Sequence, residues 1–143
     1  MQIEIQSKFS EELLDAFTRL IPQLKISFPL LTRDELNSLL ASDASTLMTA
    51  RDESTGQIIG MLTLIVYRVP TGIRARIEDV VVDESMRGRG IAVELVQRAL
   101  KIAREKGADG VALTSNPKRE AANRLYQKVG FKKWETNVYF YKF

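Results

Sequence analysis

The stretch from Arg87 to Gly90, Arg-Gly-Arg-Gly, has the residue types and spacing that suit the binding of an anion. It lies between an apolar run, Ile77 to Asp83, and a long amphipathic run, so we interpret it as the turn between a buried strand and a helix. The N–H groups of a first helical turn lack intrahelical partners, and the helix dipole adds partial positive charge. Because glycine has no Cβ, a bulky phosphate can approach the main chain, and the two arginines add formal charge.

Two common phosphate-binding patterns fit this stretch incompletely. A dinucleotide fingerprint requires a further glycine where this chain has Val93. A P-loop for ATP or GTP requires Gly-Lys followed by Ser or Thr, and no such triplet follows a strand here. The pattern that remains, Arg87-x-x-Gly90-x-Ala92, resembles the acetyl-CoA pyrophosphate loop of the GNAT family of N-acetyltransferases, Gln/Arg-x-x-Gly-x-Gly/Ala. An ordinary strand-to-helix turn with surface arginines is the alternative interpretation.

A second stretch, further along the chain, resembles the same family. Residues Ala122 to Phe131 match a pattern in which Asn-x-x-Tyr lies on a helix that ends at Gly-Phe. The two motifs occur in the order and separation of the family, so the resemblance covers about residues 77–131. The first helical part, Ser10 to Leu40, carries no motif, and in this family that region usually varies with the substrate.

The resemblance implies a cofactor, acetyl-CoA, whose pantetheine arm lies between two parallel strands that separate. The separating pair would be Ile77–Asp83 and Val111–Ser115. The residues implied for the cofactor are Val80, Val81 and Val82 along the pantetheine, Arg87, Gly88, Arg89, Gly90, Ile91 and Ala92 at the diphosphate, and Asn116, Asn123 and Tyr126 beyond them. A backbone N–H near Val80 or Val81 could also polarise the thioester carbonyl. An N-cap role is the alternative for Asn116, and a solvated helix position is the alternative for Asn123.

Two residues are candidates for proton transfer. Tyr126 matches the family position that often gives a proton to the departing thiolate of coenzyme A, and a core aromatic is its alternative role. The amine must lose a proton before it attacks, and Glu78 is the favoured base, directly or through water; burial would raise the pKa of such a carboxylate. Glu78 and Asp79 face opposite sides of a regular strand, so at most one reaches the cleft unless a bulge intervenes. Pairing with a neighbouring arginine is the alternative for Glu78.

Composition limits the other kinds of chemistry. The chain has 143 residues, 45% of them hydrophobic and 27% charged, which is ordinary for one soluble globular domain. It contains no cysteine and no histidine, which excludes disulfides, thiol nucleophiles and Ser-His-Asp triads and disfavours a metal site. The net charge of +3 is dispersed, so nucleic acid is not an expected partner. No signal peptide or membrane span is visible, which favours a cytoplasmic protein.

The elements that must position these residues follow from periodicity and turn chemistry. Strands are predicted at Met1–Gln6, Ser45–Arg51, Gln57–Tyr67, Ile73–Asp83, Asp109–Ser115, Phe131–Trp134 and Asn137–Tyr141, and helices after Ser10, Thr32 and Asn116 and from Gly90 to Lys106. Sequential strands with short turns predict an antiparallel meander, and the strand–helix–strand unit predicts one parallel pair. We therefore expect one α/β domain over residues 1–143, with a mixed, mostly antiparallel sheet, a splayed parallel pair and flanking helices. The resemblance implies the acyl-CoA N-acyltransferase fold.

The resemblance also implies an activity, the direct transfer of an acetyl group from acetyl-CoA to a primary amine of a small molecule or protein. Residues Ile77 to Val82 are similar to the corresponding strand of glucosamine-6-phosphate N-acetyltransferases, a subgroup of the family, which makes an amino sugar one alternative acceptor. Residues Thr114 to Pro117 are more typical of general bacterial members. A non-catalytic acyl-CoA-binding module is the alternative from another class of function.

Further expectations concern the acceptor cleft and the partners. Four residues could line the cleft: Phe28, Tyr67, Arg68 and Tyr139. Core or surface roles are more common for residues of these types. The apolar segment from Leu24 to Leu31 contains a proline and is predicted to be a loop that could cover a pocket. Homodimers through the terminal strands are common in the family, which makes a homodimer the expected assembly. Scattered basic residues without an aromatic platform argue against nucleic-acid binding.

Overall fold

The computed structural model of the protein describes residues 1–24 and 29–143, which form two compact units, Met1–Leu113 and Thr114–Phe143. The first unit contains β1 (Gln2–Gln6), α1 (Glu11–Leu20), α2 (Arg33–Ala41), β2 (Ser45–Arg51), β3 (Ile58–Val69), β4 (Gly72–Val82), α3 (Ile91–Glu105) and β5 (Val111–Ala112). Short 3₁₀ helices lie at Ile21–Leu24 and Glu84–Met86. The second unit contains α4 (Glu120–Val129).

The first two helices begin at the residues that the sequence predicts. The Ser10 hydroxyl accepts a hydrogen bond from the backbone N–H of Leu13 at 3.1 Å, and the Thr32 hydroxyl accepts one from Glu35 at 3.1 Å. Each bond satisfies an N–H that would otherwise lack a partner at a helix start. α1 ends just before Pro22, as expected from a residue that lacks a backbone N–H.

The five strands form one sheet in the order β1-β2-β3-β4-β5. The first three pairings are antiparallel, and β4 and β5 are parallel because α3 carries the chain back across the sheet between them. Both the predicted meander and the predicted parallel pair are therefore confirmed. The described part of the chain has a mixed, mostly antiparallel sheet with flanking helices.

Helices cover the middle of the sheet. The first part of β3, from Ile58 to Leu64, is buried at every position, so both of its faces are covered. One hydrophobic cluster joins α1 and α2 to β2, β3 and β4 and consists of Leu13, Ala16, Phe17, Leu20, Leu36, Leu47, Ile58, Met61 and Val81. α3 packs against β2, β3 and β4 and buries Leu95, Val96 and Ala99 completely. This packing fixes the end of β4 and the start of α3, between which the glycine turn lies.

Most predicted boundaries differ from the structure by at most two residues, but those of β5 and α4 differ by more. β5 is limited to Val111–Ala112, whereas the sequence predicts a strand over Asp109–Ser115. α4 begins at Glu120 rather than directly after Asn116. The Asn116 side chain accepts a hydrogen bond from the Lys118 backbone N–H at 2.9 Å, so Asn116 forms a separate turn before the helix instead of its N-cap.

The two predicted terminal strands are wrong. Residues 131–143 contain neither helix nor strand. Their aromatic and β-branched content favours a strand, but that preference expresses packing on a pleated surface, and a strand also needs a ladder partner. These side chains are instead exposed, with Trp134 at 82% and Tyr139 at 88% relative exposure.

Candidate active site

The two edges of β4 are paired to different extents. On one side, the antiparallel ladder with β3 extends from Gly72 to Val82. On the other side, the parallel ladder with β5 comprises only two Cα pairs, Ala75 with Val111 and Arg76 with Ala112. Because β5 ends at Ala112 while β4 continues to Val82, the later half of β4 has no ladder partner on that edge within the described residues. Free backbone N–H and C=O groups at such an edge can pair with an extended ligand.

A β-bulge interrupts this later half of β4. Glu78 lies opposite Thr63, and Val81 lies opposite Met61, so the single residue between them on β3 faces both Asp79 and Val80. Asp79 has a positive φ of 52°, a conformation that aspartate tolerates better than most residues. The bulge resets the strand's alternation, because Glu78 and Val81 now lie on one face. The bulge that would remove the one-acid limit of a regular strand is therefore present.

The two adjacent acids differ in their surroundings. The Glu78 carboxylate accepts a hydrogen bond from Arg76 Nε at 3.2 Å, which is the arginine pairing that the sequence analysis keeps open. No hydrogen bond to Asp79 from another described side chain is present. Burial by surrounding protein atoms raises the pKa of Asp79, although its carboxylate is still in contact with solvent, and the negative charge of Glu78 raises that pKa further. A carboxylate of this kind holds a proton more readily than an ordinary aspartate.

The glycine turn is open on its outer side. Gly88 and Gly90 have φ values of 78° and 79°, which favour glycine over residues with a Cβ. A Cβ built on either glycine would meet no other part of the described chain within 4 Å. Gly90 is the N-cap residue of α3, and no side chain in the described ranges caps that helix start. The first-turn N–H groups of α3 therefore face space that an anion can fill.

The charged and apolar residues of the turn have separate roles. Arg87 and Arg89 are exposed, and Arg87 Nε donates a hydrogen bond to the Val82 carbonyl at 3.2 Å, which folds this arginine back over the end of β4. Ile91 is buried and anchors α3, whereas Ala92 is half-buried. The side chains of Val81 and Val82 are buried too, so these two residues can offer a ligand only their main-chain groups.

Tyr126 lies in the second unit, on α4. It is buried, and its ring contacts that of Phe131 edge to face, with the centroids 5.8 Å apart. The Tyr126 carbonyl accepts hydrogen bonds from the N–H groups of Gly130 and Phe131, which closes the helix at the predicted glycine. Burial raises the pKa of Tyr126 above its usual value, so its hydroxyl stays protonated near neutral pH and can act as a proton donor.

The two asparagines of this unit already have protein partners. The Asn123 side-chain N–H group donates to the carbonyls of Asn116 and Arg119, each at 2.9 Å. Asn116 binds the Lys118 N–H through its side chain. These bonds hold the turn before α4, and both asparagines are implied by the resemblance as cofactor contacts.

The structure brings the predicted main-chain contacts and both acids together in the first unit, along the end of β4 and the start of α3. Tyr126, Asn116 and Asn123 lie together in the second unit. Among the residues that could line the cleft, Tyr67 and Tyr139 are exposed, and Phe28 lies outside the described residues, as does the middle of the predicted covering loop.

Arg19 and Asp83, which no pattern in the sequence singles out, hold the start of the glycine turn. Arg19, at the end of α1, forms an ion pair with Asp83, the residue that follows β4. Neither residue belongs to a motif, and the pairing of positions so distant in sequence is a tertiary contact that no local pattern reveals. Within residues 1–24 and 29–143, no cluster of acidic side chains could hold a metal ion, and no helix is long and apolar enough to cross a membrane.

The protein is thus of the α/β class, with a mixed sheet that has a free strand edge beside an open glycine turn at a helix start. The sequence model of the Acetyltransferase (GNAT) family matches residues 8–131. The chain therefore belongs to the GNAT family of acetyltransferases.

Individual relatives agree with this assignment. The chain is 32% identical over 133 residues to glucosamine 6-phosphate N-acetyltransferase 1 of Oryza sativa subsp. japonica, a match that covers 87% of this chain and 79% of the rice protein. It is 38% identical over 89 residues to glucosamine 6-phosphate N-acetyltransferase of Trypanosoma brucei brucei, covering 60% of this chain but only 58% of that protein. The fold also resembles that of an aminoglycoside acetyltransferase from an uncultured soil metagenomic sample, with a TM-score of 0.82, 24% identity, and coverage of 99% and 95% of the two chains.

Proposed function

We propose that this protein is an acetyl-CoA-dependent N-acetyltransferase that moves an acetyl group directly to a primary amine. The observation that carries the proposal is the end of the β4–β5 ladder at Arg76 and Ala112, while β4 continues to the open glycine turn. The free edge of β4 is therefore followed along the chain by the glycine turn and the start of α3. An elongated molecule with a diphosphate at one end matches that arrangement.

The residues of the turn fit the diphosphate of acetyl-CoA. The space beside Gly88 and Gly90 allows the phosphate oxygens to approach the N–H groups of Ile91 and Ala92. Arg87 and Arg89 add positive charge at the same place. Val80, Val81 and Val82 would pair with the pantetheine through their main chain. We assign Asn116 and Asn123 a weaker part, since their amide groups already bind the turn before α4.

For the proton of the amine, we propose Asp79 as the principal acceptor, with Glu78 as the alternative that the sequence favours. Bound acetyl-CoA supplies a thioester carbonyl carbon that the neutral amine attacks. An ammonium has no lone pair, so a group in the cleft must take its proton first. The raised pKa of Asp79 and its position on the bulge support this role, whereas Glu78 is bound to Arg76.

For the leaving group, we propose Tyr126 as the proton donor. When the carbon–sulfur bond breaks, the sulfur leaves as a thiolate, and a proton supplied by a nearby acid makes its departure easier. The proposal rests on the match of Asn123 to Tyr126 to the family motif. The Tyr126 hydroxyl carries a proton near neutral pH, as a donor must, although the burial that raises its pKa also makes it a weaker acid than an ordinary tyrosine.

The acceptor that we propose first is an amino sugar phosphate, glucosamine 6-phosphate. Three relatives carry that substrate in their names, and one of them, the rice protein described above, matches most of this chain. The similarity of residues Ile77 to Val82 to the corresponding strand of that subgroup supports the same choice. Other small amines and protein amines remain candidates for the same site.

Binding and turnover test these proposals in sequence. Micromolar acetyl-CoA should raise the melting temperature of the protein, because a ligand of the native state stabilises it. Release of free thiol should then follow addition of glucosamine 6-phosphate, with glucosamine and a panel of other amines as comparisons. No melting shift contradicts both the enzyme and the non-catalytic binding module. A shift without thiol release for any amine favours the binding module.

We also propose a homodimer, on the family resemblance. The exposed aromatic side chains between residues 134 and 143 support it, because apolar surface of this kind often lies in an interface. Light scattering on a size-exclusion column measures the mass directly. A mass of one chain at micromolar concentration contradicts the proposal.

A further inference from the structure

Arg19 connects α1 to two different strands of the sheet. One of its terminal N–H groups donates a hydrogen bond to Asp83 Oδ2, and the other donates to the carbonyl of Ile58, at the start of β3. The Arg19 side chain is 33% exposed and that of Asp83 is 16% exposed, so water screens this ion pair only in part. The planar fork of arginine is what allows one side chain to bind a carboxylate and a carbonyl at once.

Asp83 passes this contact on to the turn that follows β4. Its other carboxylate oxygen, Oδ1, accepts hydrogen bonds from the backbone N–H of Ser85 at 3.0 Å and from the Ser85 hydroxyl at 2.7 Å. Its own N–H donates to the Ile59 carbonyl at 2.8 Å, and its carbonyl accepts from Met86 at 2.9 Å. The hydrogen bonds from Ser85 and the charge of Arg19 keep the pKa of Asp83 below its usual value, so the carboxylate is ionised near neutral pH.

A second side chain from the same end of α1 supports the next residue of the turn. Gln23 lies on the 3₁₀ helix Ile21–Leu24, and its side-chain oxygen accepts a hydrogen bond from the Glu84 backbone N–H at 2.9 Å. Asp83 is thus bound to α1, and Glu84 to the 3₁₀ helix that follows α1, shortly before Arg87 and the glycines. The start of the glycine turn is therefore held by side chains from outside the turn, and a Cβ at Gly88 or Gly90 would contact none of them.

We infer that Arg19 is a positioning residue for the binding of acetyl-CoA. Arg19 acts through Asp83 and fixes the turn whose N–H groups receive the diphosphate. The inference rests on the proposed function. Without the fork, Asp83 loses a charged partner and the Ile58 carbonyl loses its donor, so the residues from Asp83 to Arg87 gain freedom. Binding of the cofactor must then order this turn, which costs affinity, whereas the reacting groups elsewhere are unchanged.

The experiment compares Arg19→Met with Arg33→Met. Methionine keeps much of the aliphatic volume of arginine but removes the fork. Arg33, on α2, forms an exposed ion pair with Glu11 and does not contact the turn, so its variant controls for the loss of one surface arginine. Arg19→Met should raise the Kd of acetyl-CoA, measured by calorimetry, and its KM by about tenfold, as expected for hydrogen bonds to a charged group. The kcat and the KM of the amine should change little.

Arg19→Lys and Asp83→Asn make the result specific. Lysine keeps the charge but cannot bind both acceptors, so it should restore only part of the affinity. If Arg19 acts through Asp83, the double variant that combines Arg19→Lys with Asp83→Asn should bind acetyl-CoA no more weakly than the weaker-binding of the two single variants. These variants also serve if Arg19→Met does not fold.

The outcomes separate the two proposals. Equal Kd and KM values for acetyl-CoA in Arg19→Met and Arg33→Met, with normal binding by the unaltered protein, overturn the positioning role alone. A fall in kcat with an unchanged Kd also overturns it. Failure of the unaltered protein to bind acetyl-CoA overturns the proposed function and this inference with it.

Discussion

The two halves of β4 differ in what their edges contact. The first half, Gly72–Arg76, pairs with β3, and its last two residues also pair with β5; Arg74 adds an ion pair with Asp109. The second half, Ile77–Val82, pairs with β3 alone among the described residues and contains the bulge. One continuous strand therefore has a closed half that belongs to the sheet and an open half that leaves main-chain groups available.

The difference shows how a sheet can provide a binding site without special side chains. The open half ends in the turn where Gly88 and Gly90 leave space, so the available groups are mostly backbone N–H and C=O. Its two acids are the exceptions, and the bulge sets them in different surroundings. The closed half holds the strand in place, and the open half should carry the chemistry.

The largest expected effect follows from filling the open turn. Gly90→Val should abolish acetyl-CoA binding, because its side chain occupies the space beside the α3 N-terminus and a β-branched residue is strained at positive φ. Gly56→Val is the matched control, since Gly56 has a φ of 73° and equally open surroundings in the turn between β2 and β3. Calorimetry with acetyl-CoA should separate the two. Loss of binding in both variants, or in neither, contradicts the assignment of the turn.

The next effect concerns the proton donor on α4. Tyr126→Phe should lower kcat by about a hundredfold and leave the Kd of acetyl-CoA nearly unchanged, because it removes only a hydroxyl that acts on the leaving thiolate. Tyr141→Phe, at an exposed position, controls for the loss of a tyrosine hydroxyl. A normal kcat in Tyr126→Phe would show that Tyr126 is only a packing residue.

The glycine turn could be predicted from the sequence because its evidence is local. Residue types from Arg87 to Ala92, directly after an apolar run, determine both the space and the charge. The helix starts at Ser10 and Thr32 are equally local, since each hydroxyl binds an N–H within the same turn. The meander and the parallel pair also followed from the order of short turns and one long crossover.

The remaining features depend on contacts between distant residues. The bulge at Asp79 is a property of the register between β3 and β4, and the Arg19–Asp83 pair joins a helix to the end of a strand. The terminal segment from Phe131 to Tyr141 shows the opposite error, because strand propensity there exists without a ladder. The shortness of β5 also depends on contacts between distant residues, because its ladder ends where β4 and β5 separate.

A smaller effect distinguishes the two acids in the open half. The amine's proton acceptor must be ionised, so the rate should rise with pH through the pKa of Asp79, which lies above that of an ordinary aspartate. Asp79→Asn should lower kcat/KM by about tenfold, less than is usual for a lost base, because Glu78 and water can replace it in part. Glu78→Gln removes the neighbouring negative charge, so the rising part of the pH profile should move to lower pH.

The pH profile also identifies the outcome that favours Glu78. If Glu78 were the base, Glu78→Gln would remove the rising part of the profile instead of moving it. Asp109→Asn serves as the control, because Asp109 pairs with Arg74 in the closed half of β4, and it should leave the profile unchanged. If the pH profile of Asp109→Asn shifts as well, the overall charge of the protein, and not the acids in the open half of β4, determines the profile.

The smallest effect is the stability that Asp83 provides where the open half meets the turn. Its folded-state pKa is lowered, so its contribution is fully present above the pKa of the unfolded chain, about 3.9, and is lost as pH falls through the folded value. Asp83→Asn should lower the free energy of unfolding near pH 7 by about 1.5 kcal/mol, the lower end for a hydrogen bond to a charged group, because the site is partly exposed. Urea unfolding at several pH values should show the two proteins converging in acid. Asp109→Asn loses only an exposed ion pair, so its free energy of unfolding should fall by about 0.5 kcal/mol. A loss of stability in Asp109→Asn as large as that in Asp83→Asn would contradict the difference between the two halves of β4.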